Sequence, residues 1–456
     1  MRAGSRIAVA ALCAATAAGA QAATYVLHAP NWGAKQSAAV AKAGGTVVFS
    51  HDGAGVAVAE SSNPAFMKTV RASGAVAGGA LDRVVEWTEP MPREVLPDAI
   101  NPSDDHYFNT VQWAPQSVEA PAAWAMGYTG KGVRVAVIDG GIFNAHPDLG
   151  ANVDASASRS FVEQDPAASA AVNACRTAFN CDIGTLWHGT HVAGIIAAID
   201  NSIGVVGIAP EATIVGVKAL HGGSGSFAAV IQAILYAATE GRADVINMSL
   251  GAVFPRNEEG AAELVSGLNR AVNFATRNGA LVVVSAGNDA LDMDRTGNLI
   301  VTPAESGNAI AISATGPMAF AYGATNFSRP ASYSNYGNSL VWLAAPGGDF
   351  AYPGNENCTL PTTTTPVTIP CWAFDMVLST SRGSANGPGA YTWTAGTSMA
   401  APAASAIAAL IKQKHPGIAV GELKNRLAQS ATDEGKPGQD NFYGRGYVNA
   451  KRAVMR

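Results

Sequence analysis

The chain of 456 residues is long enough for one large domain or two smaller ones. Hydrophobic residues make up 48% and charged residues 14%, a balance that supports a sizeable buried core and excludes a disordered chain. A net charge of −5 lacks the basic footprint of a nucleic-acid-binding protein.

At the start, Arg2 and Arg6 precede an apolar stretch over residues 7–18, followed by Ala20-Gln21-Ala22. This pattern predicts a secretory signal peptide over 1–22, and hence a secreted or extracytoplasmic protein. The apolar run is shorter than the roughly 20 residues a membrane-spanning helix needs, so no membrane partner is expected.

Residues 24 to about 90 read as a small α+β module. Strands are predicted at 24–29, 45–50 and 55–60 and helices at 34–43 and 64–72, with 82–87 closing the sheet. That βαββαβ order is compatible with a ferredoxin-like fold. The proline-rich stretch 90–102 reads as an exposed linker.

From about residue 101 onward, strand and helix patterns alternate. Apolar runs at 133–139, 213–219, 245–249, 280–286 and 309–314 read as strands, and 188–200, 228–240 and 259–278 as helices. Such alternation predicts an α/β fold, a mostly parallel sheet with helices on both faces. Ligands of such sheets gather at the carboxyl ends of the strands. Of five cysteines, Cys13 falls in the signal peptide, leaving Cys175 and Cys181, and Cys358 and Cys371. In an exported chain these favour disulfides, and local pairing is the simplest of three connectivities. Neither pair has the C-x-x-C spacing of a zinc site.

Asp139 ends the strand VRVAVID without a G-x-G-x-x-G turn, which argues against a dinucleotide site. His188 opens HGTHVAG; with His191 it lacks the H-E-x-x-H pattern of a metallopeptidase. Asn288 closes VVVSAGN, and Ser398 heads GTSMAAP where a helix begins, so backbone N–H groups face its surroundings. Serine becomes a nucleophile when an imidazole accepts its proton, and that imidazole needs a carboxylate to fix its tautomer. The four residues supply each part.

Taken in order, VAVIDGGI, HPDL, HGTHVAG, INMSLG, SAGN and GTSMAAP resemble the signature segments of subtilisin-like serine proteases. The resemblance implies a secreted serine endopeptidase with Asp139 as orienting carboxylate, His188 as general base and acid, Ser398 as nucleophile and Asn288 as oxyanion donor. His191 then becomes a structural helix residue. The resemblance makes residues 23–100 a propeptide and linker, an inhibitor removed by self-cleavage between about 89 and 101, and residues 101–456 the catalytic domain. It implies a monomer acting on protein or peptide substrates. Ser249, Leu250 and Gly251 are expected to line the primary specificity pocket, with Gly223, Ser224 and Gly225 on the opposite edge and Phe227 at a more distant apolar subsite. Asp289 is a candidate to favour a basic side chain near the cleft. A calcium site is implied from Asp148 and Asn201, the carbonyls of Ile199, Ile203 and Val205, and Asp105. One departure is Gly140, where the family usually has Ser or Thr; altered support around Asp139 is expected.

Overall fold

The computed structural model describes residues 22–96, 110–362, 365–383, 387 and 389–456. The region expected as a signal peptide therefore lies, up to residue 21, outside the described residues.

The first strands, Ala23–His28, Gly45–His51, Val56–Ser61 and Gly78–Leu81, form one antiparallel sheet in the order second, third, first, fourth. This is the ferredoxin-like order. Successive strand side chains point to opposite faces, and apolar ones stand on both. Leu27, Ala57 and Ala59 pack on Val40, Phe66 and Val70 of the module's own helices, Ala34–Lys42 and Phe66–Ala72. Val26, Val56 and Val58 instead join Leu264 and Leu268 of the Ala261–Arg277 helix. At the edge of that contact, His28 Nε2 meets Glu263 at 2.7 Å.

The strand that closes this sheet is Gly78–Leu81, four residues earlier than expected. Its glycines hid it: a Cβ on Gly79 would lie 2.7 Å from the Val26 carbonyl, so the position has no room for the β-branched side chains that mark a strand. The expected closing segment leaves the module. Val84–Glu86 pairs with Ser224–Ser226, and Arg93–Leu96, within the stretch expected to be an exposed linker, pairs with Ala390–Thr394.

The large sheet has seven strands, in the order Val341–Pro346, Ile310–Thr315, Leu281–Ser285, Val245–Met248, Arg134–Asp139, Thr213–Lys218, Arg159–Ser160. Neighbours are parallel throughout. Val135 and Val137 face one core, with the helices Leu186–Ala197 and Thr397–Lys414. Ala136 and Ile138 face the other, with Phe227–Ala238 and Ala261–Arg277. Burial on both faces explains why these strands read as continuous apolar runs. Two strands lacked a sequence signal. Arg159–Ser160 spans two residues, and Val341–Pro346 ends in a proline, tolerated because the strand lies at the sheet edge.

Both disulfides pair locally, Cys175 with Cys181 and Cys358 with Cys371. Among the described residues, no helix is long and apolar enough to cross a membrane.

Candidate active site

Asp139, His188, Asn288 and Ser398 come from four elements that end or begin at the carboxyl edge of the large sheet. Asp139 is the last residue of its strand and is fully buried. Its Oδ1 accepts the Gly140 N–H at 2.6 Å, and its Oδ2 lies 2.9 Å from His188 Nδ1. His188, in the first turn of the Leu186–Ala197 helix, is 6% exposed, so water screens this pair little.

Ser398 is the second residue of the Thr397–Lys414 helix. Pro402, four residues on, has no N–H and cannot bond the Ser398 carbonyl as a helix interior would. That carbonyl instead accepts the Ser249 hydroxyl at 2.7 Å, and Ser398 Oγ donates to the Ser249 carbonyl at 3.3 Å. A helix-breaking residue thus ties the serine to the end of the Val245–Met248 strand.

The Asn288 carboxamide is oriented from behind. Its Oδ1 accepts both the backbone N–H of Thr397 (2.9 Å) and the Thr397 hydroxyl (2.8 Å), which turns the amide toward the cleft. The turn carrying Asn288 wraps around buried Asn335. That side chain accepts from the N–H groups of Asp289 and Leu291 and donates to the Ala286 carbonyl and the Asp289 carboxylate. Gly287 (φ +98°) leaves the space into which Asn335 fits. Thr397 and Asn335 escaped sequence reading, the first hidden between Gly396 and Ser398 and the second 47 positions from Asn288.

Segment 84–96 occupies the cleft. Beyond the pairing with Ser224–Ser226, Trp87 N–H donates to the Gly223 carbonyl (3.0 Å), and Gly251 N–H donates to the Trp87 carbonyl (2.9 Å). The Trp87 ring packs on Phe227, centroids 5.0 Å apart, and its Nε1 donates to the Gly225 carbonyl at 2.9 Å. Glu89 enters a pocket with Leu250, Gly251, Asn288, Asp289 and Ser398. His188 lines the adjoining space of about 240 Å³ beside Thr88 and Met91. Apart from Ser249, whose hydroxyl is turned to the Ser398 carbonyl, the residues named from sequence for both cleft edges are therefore brought together around one extended segment, a strand-addition geometry.

Gly140 has a structural reason. A Cβ there would collide with Thr185 Oγ1, so a hydroxyl from the start of the helix occupies the space where the family pattern has its own. Thr185 is held by Asp182, which accepts the Thr185 N–H (2.6 Å) and hydroxyl, accepts the Gly222 N–H (3.0 Å), and meets His221 Nδ1 (2.8 Å). Buried Lys218 adds its charge 3.6 Å from Asp182 and donates to the carbonyls of Cys175 and Cys181. Burial would raise the Asp182 carboxyl, but the Thr185 and Gly222 hydrogen bonds and the Lys218 charge outweigh it and hold it low. Burial pushes the Lys218 ammonium down to about 8 against the pull of Asp182. The first disulfide loop is thereby fastened to the rim of the cleft.

His191 is fully buried, with Nε2 facing the carbonyls of Thr392 (2.8 Å) and Val377 (3.2 Å), and desolvation pushes it down to about 3. It stays a neutral imidazole donating to backbone. Among the described residues, no group of three or more His, Cys, Asp or Glu side chains gathers to hold a metal.

A parallel sheet whose strand ends carry a buried carboxylate–imidazole pair, a helix-start serine and an anchored amide has the architecture of a serine peptidase. Comparison with known proteins agrees. Residues 130–446 match the model described as the subtilase family. Subtilisin Savinase of Lederbergia lenta is 36% identical over 349 residues, covering 76% of this chain and 99% of that protein. A solved protease of Pseudoalteromonas arctica PAMC 21717 is 28% identical with a TM-score of 0.58, covering 78% of this chain and 99% of that one. The epidermin leader peptide processing serine protease of Staphylococcus aureus, 22% identical, shares the fold over 95% of this chain and 98% of its own, with a TM-score of 0.70. The chain belongs to the subtilase family and is a serine endopeptidase.

Proposed function

We propose that this endopeptidase is exported as a zymogen and hydrolyses peptide bonds through an acyl-enzyme on Ser398. The observation that carries this reading is the buried Asp139–His188 pair beside a cleft that also holds Ser398 and Asn288. His188 takes the Ser398 proton as Oγ bonds to the substrate carbonyl carbon. The carbonyl oxygen, now negative, is held by the Asn288 amide and the Ser398 N–H. The C–N bond then breaks as His188 returns the proton to the leaving amine, and water repeats the sequence on the ester. Covalent labelling by a fluorophosphonate, mapped to Ser398, tests the assignment; modification elsewhere, or none in material that cleaves casein, removes it.

The module at residues 23–96 is read as the inhibitor, with segment 84–96 held like a substrate. Two local disulfides fit an oxidising destination. The segment brings acid against acid in the pocket. Burial, then the charge and hydrogen bond of Asp289 and the charge of Glu86, raise the Glu89 carboxyl to about 7, while the Asn288 amide opposes them. A carboxyl raised on docking binds best when protonated. Docking is therefore tightest below the free value near 4.5, weakens as pH rises toward about 7, and levels off above it. Glu89 is partly open to solvent, so screening reduces the change to severalfold. In the Ser398→Ala chain, the rate of trypsin cutting after Arg93 is expected to rise severalfold from pH 6 to 8 relative to the same chain carrying Glu89→Gln. Equal pH profiles for the two chains would remove the role of Glu89.

Calcium forms the last part of the proposal. The fully buried Asp148 carboxylate accepts the Val205 N–H and the Tyr391 hydroxyl, both at 3.1 Å, while its carbonyl accepts Ile199 N–H at 2.9 Å. Asn201 Oδ1 accepts Ile203 N–H at 3.0 Å. A loop folded around a buried carboxylate and a carboxamide suits a hard cation. Asp148, Asn201 and the carbonyls of Ile199, Ile203 and Val205 would hold the ion, whose part is to brace this loop; Asp105 lies outside the described residues. Chelation by EDTA is expected to lower the thermal midpoint and speed self-digestion, and no change in either would rule calcium out.

A further inference from the structure

We propose that Trp187 forms a subsite for one cationic side chain on the leaving-group side of the scissile bond. The inference rests on reading segment 84–96 as lying along the substrate's path, and it deepens that reading.

The direction of the segment sets the geometry. Val84–Glu86 lies on the Ser224–Ser226 edge, Glu89 reaches the pocket shared with Ser398, and Arg93–Leu96 continues as a strand against Ala390–Thr394. Residues after Glu89 therefore run where the departing half of a substrate runs. The first charged side chain there is Arg93, and its guanidinium lies over the Trp187 ring, 4.6 Å from the centroid.

Trp187 is placed to act as a platform. It immediately precedes His188, and the two rings meet edge to face, 5.5 Å apart at 87°. One side of the indole is thus braced by the proposed catalytic base while its face is presented to Arg93. The ring quadrupole attracts a cation there, and a planar guanidinium adds stacking. Trp187 and Arg93 line a cavity of about 420 Å³ whose wall also includes Phe143, Ile183 and Arg382. Arg382 stacks over Phe143 at 3.9 Å, so that part of the wall is already positive. A cation seated on Trp187 is accommodated, with the Asp182 carboxylate also in the wall of the cavity. The pattern fits a protein substrate with an arginine or lysine a few residues beyond the cut.

The test uses mature enzyme and a series of fluorogenic peptides with a common sequence up to the cut. Arginine or citrulline is placed singly at each of the four positions beyond it; citrulline keeps the planar group and removes the charge. At one position, kcat/KM is expected to be about two- to fivefold higher for arginine than for citrulline. Trp187→Ala should bring that ratio to about one, whatever its absolute rates, and Trp187→Phe should retain part of it. A structural role alone would change rates for both peptides and leave their ratio intact. Wild-type enzyme that cuts the series without distinguishing the two overturns the subsite and leaves the peptidase reading standing, as does a preference that persists in Trp187→Ala.

Discussion

Ser398→Ala is expected to leave a folded, full-length chain that neither cuts itself nor reacts with a fluorophosphonate. The loss in kcat should be on the order of 10⁶, the size known for subtilisin itself. Folding should survive because the hydroxyl contributes one long hydrogen bond, 3.3 Å to the Ser249 carbonyl, and such a bond is worth about 1 kcal/mol. The tie in the other direction, Ser249 hydroxyl to Ser398 carbonyl, is untouched by the substitution. Intact mass and a thermal melt check both halves of the statement. If the purified variant accumulated the same shortened chain as wild type with no other protease present, self-processing through Ser398 would be ruled out.

Asp139→Asn should cost about 10⁴ in kcat with little effect on KM, the magnitude known when such a carboxylate becomes an amide. The local geometry supplies the reason. Gly140 N–H, 2.6 Å from Oδ1, requires an acceptor at that corner. Asparagine satisfies it with its carbonyl oxygen, which places its NH₂ at the corner facing His188 Nδ1, now 2.9 Å away. His188 must then present Nδ1 as an acceptor and carry its proton on Nε2, the nitrogen needed to receive the Ser398 proton. The variant, matured by a trace of wild-type enzyme, should bind peptides normally and turn them over slowly. A loss below tenfold would separate Asp139 from the catalytic pair.

The candidate residues were legible in the sequence because each sits at a local boundary. Asp139 ends an apolar run, Ser398 begins a helix of small residues, and Asn288 follows a buried strand after a glycine turn. What supports them was not legible, since it acts across the fold. Lys218 looks like the polar end of a strand, yet it is buried against the carbonyls of Cys175 and Cys181 and paired with Asp182. Gly140 read as a missing hydroxyl, whereas Thr185, 45 residues later, fills its space. The strand that closes the module's sheet differs from expectation for another reason: Gly78 and Gly79 close a sheet without strand-like side chains, while the β-branched Val84 and Val85 serve a strand in another sheet.

That displaced strand bears on how activity would be released. Only Asp82 and Arg83 separate the sheet of the module from the strand that enters the cleft. While the chain is continuous, the occupant is presented at an effective concentration of about millimolar, so even a poor ligand keeps the site filled. If the chain is cut beyond Glu89, as the zymogen reading proposes, the occupant would remain joined to the module, and the module could leave only as a separate molecule. On that reading, occupancy would then follow mass action: the cut enzyme would stay largely silent when concentrated and become active on dilution, and degradation of the freed module would make the change permanent.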